Sequence, residues 1–146
     1  MPALMTLCPK TNWMAGIWLE AAARYARADL WLAGDEALSR RAREVIHDEA
    51  NSVAVSAASS MEVATKFRIG KLPHAALLAQ NFEAIIADQG FTELAITVHH
   101  ARVAGEMNIS HKDPFDRLLI AQARAEDMML VSNEALFDGF AVKRLW

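Results

Sequence analysis

Apolar residues recur along this chain with two alternating periods. Leu38, Ala42, Val45 and Ile46 fall at helical spacing, with Arg40, Arg41, Arg43 and Glu44 on the other faces. SVAVS (52–56) is short and β-branched, the pattern of a buried strand. SSMEVATKFRIG (59–70) predicts a helix that Ser59 caps, with Glu62 closing a capping box and Gly70 ending it. HAALLAQNFEAIIADQG (74–90) predicts a second helix with a glycine stop, and FTELAIT (91–97) a strand. Thr97 then caps a helix running through Ala104. DPFDRLLIAQARAED (113–127) predicts a strong helix, MMLVS (128–132) a strand, NEALFDG (133–139) a short helix and AVKRLW (141–146) a final short strand.

Strands that alternate with helices argue for an α/β fold whose parallel sheet is covered on both faces, because parallel strands need crossover connections. Residues 1–30 depart from this pattern. They are rich in Ala, Met and Trp and show no β-branched strand. The place where a first, central strand is expected holds IWLEAAARYARAD (17–29), which reads as helix by propensity. The expectation is a sheet whose first strand is missing or replaced by helix.

Composition narrows the function classes. A chain of 146 residues with 53% hydrophobic content builds one real core and is not disordered. A net charge of -3 excludes a strongly basic nucleic-acid glove but not a local basic patch. Cys8 is the lone cysteine, so no internal disulfide forms, and it has no evident base partner that would make it a nucleophile. No apolar run reaches membrane-span length. Pro9, Lys10 and Glu20 interrupt the N-terminus before any signal-peptide pattern is complete, so a soluble cytoplasmic protein is expected. His99, His100 and His111 lack zinc-site spacing with a cysteine. Met61, Phe67, Phe82 and Phe115 are expected in the core and Trp146 on the sheet edge. Lys66, Arg68, Lys71, Lys112 and Arg117 could meet phosphates, though a solvated helix face is the simpler account.

The chemistry-bearing candidates are acids at helix openings. Asp113 suits an N-cap, Pro114 the first helical position, and Asp116 the third, where a carboxylate favours the positive helix end. Glu62 is explained by its capping box, and Glu134 by the first turn after Ser132. Singly, each is a helix-start device. Together, each follows a strand or loop, and in a parallel α/β sheet such junctions gather at the carboxyl ends of the strands, where ligands bind. Carboxylates converging there would repel one another unless they shared a hard cation. Mg²⁺ or Mn²⁺ fits, and such an ion can support phosphodiester cleavage.

These residues also carry a resemblance. WLAGDEALSRRAREVI, VAVSAASSMEVATKFRIGKL, ELAITVHHARVAGEM, HKDPFDRLLIAQARAEDMMLVSNEALF and VKRLW, spread between Trp31 and Trp146, look like a PIN-domain ribonuclease toxin of the VapC type. DPFDRLLIAQA is the most specific of them. The resemblance implies an atypical segment over residues 1–30 and a PIN-like domain over 31–146, with a three-layer α/β/α sandwich around a parallel sheet. It implies a Mg²⁺-dependent endoribonuclease neutralised by a cognate antitoxin, with RNA as substrate and a homodimer as assembly. By the same resemblance the catalytic, metal-holding acids fall on Glu62, Asp116 and Glu134, with Asp113 assisting. Glu134 stands where the family usually has aspartate, and Ser132 where it has threonine.

The larger departure is at the start. The family opens with a strand ending in Asp-Thr, and those places hold Tyr25 and Ala26. Permitted codons for AARYARADLW (22–31), read one base later, give Leu-Leu-Asp-Thr-His-Ala-Leu-Ile, which is that kind of strand. The reading is that residues 1–30 come from a shifted frame. A chain lacking the first acid is expected to bind Mg²⁺ weakly and cut little RNA. The rival readings are a degenerate relative that binds the antitoxin without cleaving, and an unrelated α/β domain whose acids are only caps. Sequencing the coding DNA is expected to find the Asp-Thr codons in a second frame just upstream of Trp31, and their absence there would refute the shifted-frame reading.

Overall fold

The computed structural model describes residues 4–9, 16–20, 39–48, 50–73, 75–132 and 135–146. In chain order the elements are β1 (Leu4–Pro9), β2 (Gly16–Glu20), α1 (Arg40–His47), β3 (Asn51–Ser56), α2 (Ala57–Arg68), α3 (Ala76–Gln80), α4 (Phe82–Asp88) and β4 (Thr92–Leu94). They continue with α5 (Val98–Glu106), α6 (Pro114–Ala125), β5 (Met128–Ser132), a 3₁₀ helix (Ala135–Phe140) and β6 (Arg144–Leu145).

The strands form one six-stranded sheet in the order β4-β3-β1-β2-β5-β6. The pairs β3–β4, β2–β5 and β5–β6 are parallel, whereas β1 runs antiparallel to β2 and β3. The expected α/β class therefore holds, but the sheet is mixed rather than wholly parallel. The expected gap at its centre is filled by strands and not by helix. Backbone hydrogen bonding explains both corrections. Without partners, β3 and β5 would leave inner-edge amides and carbonyls unsatisfied. The connection between β1 and β2 spans only residues 10–15, too short for a parallel crossover, so one of the two must run against the rest. Ile17, Trp18 and Leu19 have the bulk that strands favour, which overrides the helical reading of the stretch from Ile17 to Glu20. The remainder of that stretch lies outside the described residues, as do Tyr25, Ala26 and Asp29.

Buried apolar side chains form two clusters. One joins Ala42 and Ile46 of α1 to Val53, Val55, Val63, Leu78, Phe82 and Leu145, with Trp146 packed against it. The other joins Ala58, Leu119, Ile120, Ala123, Leu130 and Phe137. Along β5, Met129 packs on the first and Leu130 lies in the second. This is the alternation by which a strand serves both faces of its sheet. Each of the largest of these side chains contributes about 1.5–3 kcal/mol by leaving water. Met61, expected in the core, is 63% exposed, because the buried residues of α2 (Ala58, Ser59, Glu62 and Val63) occupy its other faces.

The helix expected over 74–90 is two short helices. Asn81 breaks it at φ -132° and turns its side-chain amide onto the Leu77 carbonyl at 3.0 Å. The glycine stops are confirmed. Gly70 and Gly90 have φ of 73° and 71°. Each closes a pair of reversed bonds: Gly70 to Phe67 with Lys71 to Lys66, and Gly90 to Ala87 with Phe91 to Ile86. That is the Schellman arrangement, which needs a left-handed residue after the C-cap. A Cβ at Gly90 would meet nothing within 4 Å, so only backbone conformation opposes a side chain there. Replacing Gly90 with Ala is expected to cost about 1–2 kcal/mol in urea denaturation, with Asn costing less.

Candidate active site

The connection from α6 to β5 is the two-residue turn Glu126–Asp127, which reverses the chain. Twelve helical residues rise about 18 Å and five strand residues about 16 Å. The first turn of α6 therefore returns to the level of Ser132, the carboxyl end of β5. β3 and β4 end there too, since Ser56 and Leu94 are in register, and Glu20 at the end of β2 is in register with Ser132. The strand ends thus meet the openings of α2 and α6, as expected from the alternation of elements.

Asp113 caps α6. Its Oδ1 accepts from the Phe115 amide at 2.8 Å and the Asp116 amide at 3.4 Å, and Pro114 follows in the first turn. Asp116 is 4% exposed, and one of its carboxylate oxygens hydrogen-bonds to Nε2 of His111. His111 also lies against Phe140, ring centroids 6.0 Å apart, so it links the loop before α6 to the 3₁₀ helix after β5. Sequence spacing gave His111 no zinc site with a cysteine; its contact with Asp116 makes it part of the site.

Glu62 differs from its sequence reading in a way that matters. The N-cap of α2 is Ser56, whose Oγ accepts from the Ala58 amide at 3.0 Å, while Ser59 lies buried inside the helix. The predicted capping box therefore does not exist. Glu62 is a mid-helix carboxylate, 3% exposed, with Lys66 Nζ 3.0 Å away. Burying a charge is costly unless it is paired, so a helix position that water does not reach and capping does not need requires another account. Glu62 shares a helix face with Ala58, one turn earlier, and Ala58 packs against Leu119 and Ile120 of α6. Asp116 lies one turn before Ile120 on that helix.

Glu134 lies outside the described residues. Among the described residues no three carboxylate, imidazole or thiol groups are placed to hold one metal ion. Glu62 and Asp116 are hard oxygen donors and suit such an ion in kind. In number they fall short of a complete set, and Lys66 and His111 already bond to them.

Gln122 is a positioning residue that sequence reasoning missed. It is fully buried, accepts from Ser56 Oγ at 2.6 Å and donates to the Ala95 carbonyl at 3.2 Å. The available signal was an amide within the apolar run of α6. Arg117, expected on a solvated face or at a phosphate, is neither. Its guanidinium donates to the carbonyls of Ala104 (2.9 Å), Gly105 (3.3 Å), Met107 (2.5 Å), Ile109 (3.4 Å) and His111 (3.0 Å). It gathers the end of α5 and the loop that carries His111. Arg68, Lys71 and Lys112 are exposed. Arg144 grips Asp138 through two bonds, at 2.6 and 2.9 Å, and donates to the Ser132 carbonyl at 2.8 Å. The guanidinium holds the Asp138 carboxyl below its ordinary range, and Asp138 in turn raises Arg144.

The sequence profile described as PIN domain matches residues 28–143. The chain belongs to the PIN-domain family. This is a nuclease family whose members generally depend on divalent metal. No curated protein and no solved structure matches the chain. The family match begins after β2, so the two strands that complete the centre of the sheet lie outside it. No described helix is long and apolar enough to cross a membrane.

Arg117→Ala is expected to destabilise the chain by about 2–3 kcal/mol, the scale of hydrogen bonds to a charged group left unmade. Hydrogen exchange is expected to rise first in the loop 107–111, and Arg117→Lys to recover little, since an ammonium cannot span five carbonyls.

Proposed function

We propose that this chain is a ribonuclease toxin of the VapC type, one half of a type II toxin–antitoxin pair, built as a three-layer α/β/α sandwich around its mixed sheet. The observation that carries the reading is Glu62. It is a buried carboxylate in the middle of a helix, explained by no cap, on the helix that packs beside Asp116. A buried acid in the first turn of α6, with a second on the neighbouring α2, suits the handling of phosphodiesters with Mg²⁺ or Mn²⁺. Glu62 and Asp116 would hold the ion, with Glu134 as the third donor and Asp113 shaping the helix opening. Bound there, such an ion supplies charge neutralisation and an activated water. The chain's own residues do the positioning. The Gln122 amide fixes α6 against the strand ends, Arg117 fixes the loop of His111, and Arg144 ties Ser132 to Asp138 of the 3₁₀ helix. An antitoxin would cover an apolar groove beside this site with a helix or extended tail, and two copies of the chain would form a homodimer.

A second reading, a relative that binds its antitoxin but cuts nothing, is favoured by the Lys66 ammonium on Glu62 and by Tyr25 and Ala26 in the places of the family's Asp-Thr. The two readings part in one experiment. Melting temperature and cleavage of RNA are measured with Mg²⁺, with Mn²⁺ and with a chelator. The nuclease reading expects a small metal-dependent rise in melting temperature and slow cleavage. Asp116→Asn or Glu62→Gln should remove the rise and reduce cleavage by about 100-fold or more, the scale on which one transition-state-stabilising group acts. Cleavage that survives the chelator or Asp116→Asn would refute it. Antitoxin capture without metal response or cleavage would establish the second reading.

A further inference from the structure

β4 is the last strand of the sheet order, so among the described residues no strand lies beyond its outer edge. Its inner edge is secured. It pairs with β3 over three residues, and Thr92 Oγ1 donates to the Val53 carbonyl at 3.1 Å. Behind this edge opens a cavity of about 290 Å³, walled by Val55, Phe82, Ile86 and Leu94 and lined also by Glu83 and Glu93. Among the described residues no Lys, Arg or His lines it.

Their shared place in the cavity singles out these two glutamates. Elsewhere in the described chain most acids have a side-chain partner: Glu44 with Arg40, Glu62 with Lys66, Glu106 with Arg102, Asp116 with His111, Glu126 with His100, Asp127 with Lys143 and Asp138 with Arg144, whereas Asp88 is exposed on α4 and lines no part of the cavity. Asp48 and Asp113 accept bonds from backbone amides. Glu83 and Glu93 have no such partner among the described residues, and they share one apolar cavity. The cavity is also separate from the acids of the proposed active site. Ser60, which lines it, and Glu62 are two positions apart on α2, so they point about 200° apart around the helix.

We propose that the β4 edge and its cavity form a docking site for an extended peptide that pairs with β4 and inserts one Arg or Lys side chain. An added strand supplies main-chain bonds, and the cavity supplies specificity for one side chain. The volume lies at the lower limit of the about 300–1,000 Å³ typical of small-molecule sites, which suits a single long side chain. The apolar walls accept its methylene stem and the two carboxylates its cationic head. A second copy of this chain is a poor occupant, because edge-to-edge pairing would bring Glu93 of each copy toward like charge. A short, charged edge also guards against aggregation. That accounts for Glu93 on the strand, but not for an apolar cavity with a second free carboxylate behind it. The proposal does not depend on whether the chain cuts RNA.

The test uses a fluorescent, end-capped heptapeptide, Thr-Val-Thr-Arg-Thr-Val-Thr, and its counterpart with Glu in place of Arg, both titrated with the full chain. The Arg peptide is expected to bind and the Glu peptide to bind at least tenfold more weakly. Glu83→Gln with Glu93→Gln should weaken the Arg peptide by at least tenfold without changing the melting temperature, since both side chains are exposed. Amides of Thr92–Leu94 should gain hydrogen-exchange protection in the complex. Equal binding of both peptides, indifference to the double variant, or protection confined to other strands would overturn the proposal. So would arginine amide alone competing as tightly as the peptide, which would mark a small-molecule site, or sedimentation showing that β4 is covered by a second copy.

Discussion

A buried amide sets the geometry on which the candidate site depends. Gln122 has no exposure, so both ends of its side chain must find partners inside the protein, and leaving either unmade costs about 1–3 kcal/mol. Its oxygen meets Ser56, which also caps α2, and its nitrogen meets Ala95 just beyond β4. One side chain therefore locks α6 to the end of β3, the start of α2 and the loop after β4. Apolar packing of Leu119, Ile120 and Ala123 supplies most of the attraction between α6 and the sheet, but it is non-directional. The amide relay fixes the helix at one axial height. Asp116 is six residues earlier, about 9 Å along the same rod, and inherits that placement.

The electrostatics of the site follow from burial. Glu62 and Asp116 are both nearly sealed from water, and carboxylates in that position must be compensated. The chain provides a hydrogen-bonding partner for each, and both come from nearby in sequence: the Lys66 ammonium one helical turn on, and the His111 imidazole five residues back. Short-range compensation of this kind lets each acid fold without waiting for a ligand. It also means that a divalent ion would compete with internal partners, which ties metal affinity to the freedom of Lys66 and His111.

Much of this was legible in the sequence where one local rule governed. Asp113, Pro114 and Asp116 were read as a helix opening and form one. Gly70 and Gly90 were read as stops and adopt left-handed conformations. The strands 52–56 and 128–132 stand within one residue of their predicted limits. Reading failed where two local rules competed or where tertiary contacts decided. Two serines could cap α2, and Ser56 prevailed because its hydroxyl also serves Gln122 across 66 residues, which no local pattern announces. Arg117 looked like a surface cation because its five partners are carbonyls, invisible in a pattern of side chains. Met61 was assigned by residue type alone, and the helix rotation places it outward.

The centre of the sheet is the clearest case of tertiary demand overriding propensity. A parallel strand at that position would need a crossover on each side, of a dozen residues or more. A hairpin needs no crossover between its own strands, and the chain before α1 can supply one only if one arm runs backwards. β1 takes that arm and satisfies β3, while β2 runs with β5 and presents its carboxyl end beside Ser132. The direction of each arm then bears on function. A residue at the end of β1 leaves the sheet on the side away from the openings of α2 and α6, whereas one at the end of β2 leaves it on the same side. In a sheet completed this way, whatever the N-terminal segment contributes to the strand-end pocket must come from the start of β1, from the end of β2 or from the chain that adjoins them, since Leu4, Glu20 and Ser132 stand in one register.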